Sequence, residues 1–229
     1  MMKSDVKRYN RIAPLYDLME SPMELINFKR WRKLLFDEMK ADENSLILEI
    51  GVGTGKNIPF YRNNHFVAID ISEKMIARAK KKSGSKIVDL VIADAERMPF
   101  KDESFDIVYS TFVFCSVDDP VRGLKEAYRV LKKGGKAYFL EHMLPENRIL
   151  AAIFNILNPL FRFFGPEINR RTDKNIRKAG FRIEKQIFLL GSVFRLITAV
   201  KDANTDNETS QTRLKRSEMK GSLSNRRFN

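Results

Sequence analysis

A chain of 229 residues with 43% hydrophobic side chains has the length and apolar content for one globular α/β domain with its own core. The single cysteine, Cys115, excludes an internal disulfide framework, and no run approaches the roughly 18 apolar residues that a membrane-spanning helix needs. A net charge of +13 points to an anionic partner such as nucleic acid, an acidic membrane face or a phosphorylated substrate, and a start without an apolar signal core points to the cytoplasm.

Residues 1–40 are expected to form a helical lid, in which Met19, Met23, Leu25, Ile26, Phe28 and Trp31 alternate with basic residues. Leu46–Ile50 then reads as a buried strand that runs straight into Gly51, Gly53 and Gly55, a turn whose missing Cβ atoms let a ligand approach the backbone. Thr54–Arg62 is predicted helical and 66–70 is the second strand, ending in Asp70. An acid at the tip of the second strand, nineteen residues after Gly51, is placed to accept hydrogen bonds from the hydroxyls of a ribose. The glycine spacing fits neither the dinucleotide fingerprint nor the phosphate loop, because Lys56 is not followed by Ser or Thr. A nucleoside-bearing cofactor without a pyrophosphate is the expectation.

Ser72 caps a helix to Lys82, and Ile87–Ile92 and Phe105–Ser110 are the third and fourth strands. Asp119-Pro120 opens a helix predicted to reach Lys133, with Gly134-Gly135 as its stop, and Lys136–Glu141 is the fifth strand. A helix over Asn169–Ala179 precedes two strands, Phe181–Leu189 and Val193–Val200, joined tightly at Gly191 and therefore antiparallel. The pattern predicts a Rossmann-like, doubly wound α/β sheet, mostly parallel, with a C-terminal antiparallel hairpin. The expected organisation is the lid over 1–40, a cofactor-binding domain over 41–200, and a disordered polar tail over 201–229.

LEIGVGTG (48–55), AIDIS followed by Met75-Ile76 and Ala79-Lys80, DAERMPF with FDIV (94–108), and EAYRVLKKGGKAYFLEH (126–142) resemble the motifs of the type 11 group of class I S-adenosylmethionine (SAM) methyltransferases. The resemblance implies a seven-stranded sheet, SAM as the cofactor and methyl transfer as the activity. It implies cofactor contacts at Tyr9, Glu49, Gly51, Gly53, Gly55, Asp70, Ile71, Met75, Asp94, Ala95 and Thr111, with Ile71 and Met75 against the adenine and Asp94-Ala95 at its amino edge. The segment from Arg8 to Asp17 is similar to bacterial phosphatidylethanolamine N-methyltransferases and less closely to quinone C-methyltransferases. Phe114-Cys115-Ser116-Val117, Glu141-His142 and Arg171-Thr172 look like membrane-associated thiol methyltransferases. A phospholipid headgroup amine is the first expected acceptor, with a thiol or a quinone next, and an interaction with nucleic acid is the reading from a different class.

A sulfonium methyl is already electrophilic, so the protein's main task is to hold the acceptor in line and exclude water. His142, Glu141 and Tyr16 are the candidate bases, His142 because imidazole titrates near neutrality. No residue is assigned to a metal. Ile149–Phe164 is too apolar for a surface helix and too short to span a bilayer, and is expected to roof a greasy pocket or lie on a membrane. The expected assembly is a monomer in the cytoplasm with peripheral membrane contact.

Overall fold

The structure is a computed structural model in which residues 27–164 and 167–203 are described; Tyr9, Tyr16 and residues 204–229 of the expected tail lie outside that range. Seven strands form one sheet in the order β3-β2-β1-β4-β5-β7-β6. They are β1 (Leu46–Ile50), β2 (His65–Asp70), β3 (Val88–Ile92), β4 (Phe105–Thr111), β5 (Leu131–His142), β6 (Arg182–Leu190) and β7 (Phe194–Val200). The first five run parallel, and β7 is antiparallel to both β5 and β6, as the hairpin pattern predicts. Among the described residues five α-helices accompany them: α1 (Lys29–Glu38), α2 (Glu73–Ser83), α3 (Pro120–Val130), α4 (Arg148–Phe164) and α5 (Thr172–Lys178).

Central strands covered on both faces need apolar residues at successive positions, which is why β1 and β7 carry near-continuous apolar runs. Successive side chains point to opposite faces, so β1 sends Leu48 and Ile50 one way and Ile47 the other. The first set joins Val108, Phe139 and Ile197 beneath Leu124, Ala127 and Val130 of α3 and Ile176 of α5. The second joins Phe66, Tyr109, Tyr138 and Leu196 beneath Trp31, Leu35 and Phe36 of α1. The described part of the expected lid, residues 27–40, thus supplies one face of the core.

Two local expectations are corrected. Thr54–Arg62 is not a helix: among these residues only a single 3₁₀ turn forms, over Ile58–Phe60. Gly55 sits at φ +80°, outside helical space, and Pro59 has no N–H to return to its carbonyl. The helix expected to reach Lys133 stops at Val130 instead, since Leu131 pairs with Phe105 and already belongs to β5. Gly134, at φ +75°, therefore bends the start of that strand and donates its N–H to the Lys201 carbonyl, rather than ending a helix. Ser72 and Asp119 cap their helices as expected, accepting from the N–H groups of Met75 (3.2 Å) and Arg122 (3.0 Å).

The strand order reverses between β1 and β4, the switch point at which open α/β sheets bind ligands. Gly55 holds α2 against this end of the sheet. A Cβ there would lie 2.9 Å from the Ala79 Cα and 2.8 Å from Ile58 Cδ1, whereas a Cβ on Gly134 would meet nothing within 4 Å. Both glycines are left-handed, so Gly55→Ala and Gly134→Ala share the conformational penalty and only the first adds a collision with backbone. Urea unfolding is expected to show Gly55→Ala less stable than Gly134→Ala by about 1–3 kcal/mol; equal midpoints would refute the close approach.

Candidate active site

Three carboxylates, Glu49 and Glu141 fully buried and Asp70 half-buried, shape the carboxyl end of the sheet. Asp70, at the tip of β2, accepts the Gly53 N–H on Oδ2 and the Ser72 N–H on Oδ1, both at 2.9 Å. This ties the glycine turn after β1 to the start of α2. Glu49, fully buried in β1, accepts from Asn57 Nδ2 (2.6 Å), Tyr109 Oη (2.6 Å) and Tyr61 Oη. Glu141, fully buried near the end of β5, accepts from Ser110 Oγ (2.6 Å) and from the Val113 and Phe114 N–H groups (3.2 Å each), fixing the loop after β4. Burial raises all three: Asp70 is pushed up to about 6 and Glu141 to about 7, while the donors around each partly offset the loss of water.

Between these loops lies an open, concave cleft of the kind that takes small molecules. Gly51, Gly53, Asp70, Ile71, Met75, Asp94, Ala95 and Thr111 all line it, so most of the expected cofactor contacts converge there. Gly51 makes the cleft narrow at its base, because a Cβ there would come within 2.4 Å of Val113 Cγ2. Phe112, Val113, Ser116 and Val117 line it as well, which the sequence patterns did not single out for this role. Phe112 is left-handed (φ +59°), a conformation with no sequence signature in a residue other than glycine.

A smaller hollow continues from the cleft past Gly51, Gly53, Thr111 and Phe112 and is bordered by Arg32 and Lys56. Arg32, buried in α1, donates to Asn57 Oδ1 and Thr111 Oγ1 at 2.9 Å each, and its guanidinium lies 5.4 Å from the Phe112 ring centroid. It was legible in the sequence only as one basic residue among several. Asn57, between Arg32 and Glu49, carried no signal either.

Four expected site residues stand elsewhere. Glu49 and Gly55 lie behind the glycine turn and shape it without lining the cleft. Glu141 is enclosed by the loop it holds. His142 packs flat on Phe154 of α4 (5.7 Å, 12°) and edge-on to Phe194 (5.1 Å), and its buried Nδ1 has no partner among the described residues. Burial pushes its imidazole down to about 4, out of the neutral range on which its expected role as a base rested. Cys115 is likewise buried, its thiol pushed up to about 12, and it does not reach the cleft. Among the described residues no cluster of three His, Cys, Asp or Glu could hold a metal ion.

Comparison with known proteins gives these observations their context. The family model described as a methyltransferase domain matches residues 48–139, from β1 into β5. A demethylmenaquinone methyltransferase of Lactobacillus johnsonii is 32% identical over 174 residues, covering 72% of this chain and 71% of that protein. A ubiquinone/menaquinone biosynthesis C-methyltransferase of Desulfotalea psychrophila is 30% identical over 168 residues, covering 72% of this chain and 67% of the relative. The solved structure of a SAM-dependent methyltransferase of Thermotoga maritima superimposes with a TM-score of 0.63 at 26% identity, covering 86% of this chain and 99% of that one. A cleft over a switch point, floored by glycine and edged by a strand-end carboxylate, fits the cofactor of such enzymes. The chain belongs to the class I S-adenosylmethionine-dependent methyltransferases, and SAM is its cofactor.

Proposed function

We propose that the enzyme methylates a ring carbon of a lipophilic quinol. The observation that carries this reading is the apolar run Phe112, Val113 and Val117 that borders the cleft after β4, considered beside relatives named for quinone methylation. Phe112 offers a flat ring to a hydrophobic acceptor, and behind it a line of packed rings, Phe194 (5.8 Å), His142 and Phe154, backs that face. The phospholipid amine expected first has weaker support, since neither relative is named for it.

On this reading Asp70 receives the two ribose hydroxyls on the lone pairs its backbone donors leave free, and Ile71 and Met75 flank the adenine. Asp94 and Ala95 meet the base's edge, and Thr111, with the glycine turn, borders the methionine portion. Arg32, one turn of hollow further on, faces the cofactor's carboxylate. The bound cofactor supplies an electrophilic methyl group. The chain's own residues orient the acceptor and exclude water: Phe112 and Val117 present an apolar face, and Glu141 holds their loop in place through the Val113 and Phe114 N–H groups. His142, neutral near pH 7, is a positioning residue whose ring supports this face. Residues 41–200 form the catalytic domain, which α1 completes by closing one face of its core and carrying Arg32.

Incubation of purified enzyme with labelled SAM and separate demethylquinols, phosphatidylethanolamine and alkyl thiols tests the acceptor. Label is expected in the quinol ring; label confined to the phospholipid or the thiol would overturn the assignment. Asp70 gives a second test. With its free-state value near 6, and with hydroxyl donors favouring the ionised form, cofactor affinity is expected to rise about tenfold between pH 5 and pH 7. Asp70→Asn is expected to bind more weakly and without that slope, which calorimetry at the two pH values would reveal. Arg32→Gln should weaken SAM binding by more than about tenfold while leaving 5′-methylthioadenosine, which has no carboxylate, nearly unaffected. Equal losses for both ligands would reduce Arg32 to a structural role.

A further inference from the structure

We propose that α4 is an interfacial helix that seats the enzyme on an anionic lipid surface. Of the eleven large apolar side chains left exposed among the described residues, seven lie on this one helix: Ile149, Leu150, Ile153, Ile156, Leu157, Leu160 and Phe161. Ile149, Ile156 and Leu160 are 74%, 77% and 60% accessible, values unusual for isoleucine and leucine in a folded domain. At about 100° per residue the seven fall within a sector of about 140°, a continuous stripe rather than scattered exposure. A stripe of this kind marks an interaction surface.

The opposite side of the helix is the one that touches the protein, and it does so lightly. Ala151, Phe154 and Asn158 are its half-buried positions. Phe154 stacks on His142, Asn158 Oδ1 accepts the Ile168 N–H (2.8 Å), and Asn155 Oδ1 accepts from Asn169 Nδ2 (3.1 Å). Asn147 caps the first turn, accepting from Ile149 and Leu150. Polar contacts and one ring thus fix the rotation of α4 so that its apolar stripe faces outward. The strand β6 extends the patch with exposed Phe188 and Leu190, since the turn after it holds the approach to α4 through Ser192 Oγ and the Glu146 N–H (2.8 Å).

Charge selects the occupant. From Arg148 to Phe164 there is no acidic residue, and the segment running back along α4 leads into exposed Arg171, Lys174, Arg177 and Lys178. An apolar stripe that begins at exposed Arg148 and carries no acid, on a chain of net charge +13, complements acyl chains beneath anionic headgroups. At about 26 Å the helix is shorter than the roughly 30 Å hydrocarbon core, and among the described residues no helix is long and apolar enough to cross a membrane. It therefore lies in the surface. Phe154, on its inner side, touches the line of packed rings that ends at Phe112 in the cleft, so the membrane-facing helix and the cleft are joined through one layer of side chains.

The purpose given to this surface rests on the lipophilic-acceptor reading, but its test needs no acceptor. The full chain is sedimented with vesicles of phosphatidylcholine alone and with vesicles containing phosphatidylglycerol. Binding to the anionic vesicles is expected, with Ile153→Glu/Ile156→Glu/Leu160→Glu at least tenfold weaker while its circular dichroism and SAM affinity stay unchanged. Failure of the wild type to sediment with anionic vesicles would overturn the proposal. So would equal binding by the variant, which would move the interaction elsewhere on the chain, or wild-type self-association that the variant abolishes, which would make α4 an interface between copies. A chain that docks but does not methylate quinols would leave this inference standing and remove the acceptor assignment alone.

Discussion

The architecture of the cleft depends on carboxylates at the ends of β1, β2 and β5, two of them wholly and one partly taken out of water. Each is anchored in a strand, and each spends its oxygens on donors that belong to a loop. Glu49 draws in Asn57 and Tyr61 from the segment after the glycine turn, Asp70 joins that turn to α2, and Glu141 draws in the backbone after β4. Loops over a switch point are ordinarily the least constrained part of such a fold. Here the sheet reaches out and holds them. Desolvation makes the arrangement costly for each acid taken alone, and the accumulated hydrogen bonds offset that cost.

This division of labour bears on the chemistry. The groups that look reactive in the sequence, Glu141, His142 and Cys115, are withdrawn from the cleft and occupied with packing or with backbone. What lines the cleft is glycine backbone, the acids Asp70 and Asp94, the hydroxyl of Thr111 and apolar side chains from α2 and the loop after β4. Such a site is suited to a reaction whose driving force resides in the cofactor, where alignment and dryness matter more than proton transfer.

The sheet was readable because its strands are short apolar runs separated by caps and glycines, signals that act locally: Ser72 and Asp119 stand where their helices begin, and Gly191 where the hairpin turns. The glycine turn and the strand-tip acid that line the cleft were readable for a related reason, since both signals act within a few residues of the backbone. The errors came where a distant partner overrules local preference. Leu131-Lys132-Lys133 has good helical propensity, yet β4 claims it for the sheet. Arg32 and Phe112 belong to the site only because α1 and the loop after β4 are brought beside the glycine turn, through contacts with Asn57 and with Phe28 that no spacing rule encodes.

Phe112 has one more consequence. Its left-handed backbone carries a penalty of about 1–2 kcal/mol, smaller for Asn or Asp and larger for a β-branched residue. The hydrogen bonds of Glu141 to the next two N–H groups help hold the main chain in that conformation. Position 112 can therefore exchange one unbranched side chain for another more readily than it can accept valine, isoleucine or threonine, which confines the shapes available at this edge of the cleft.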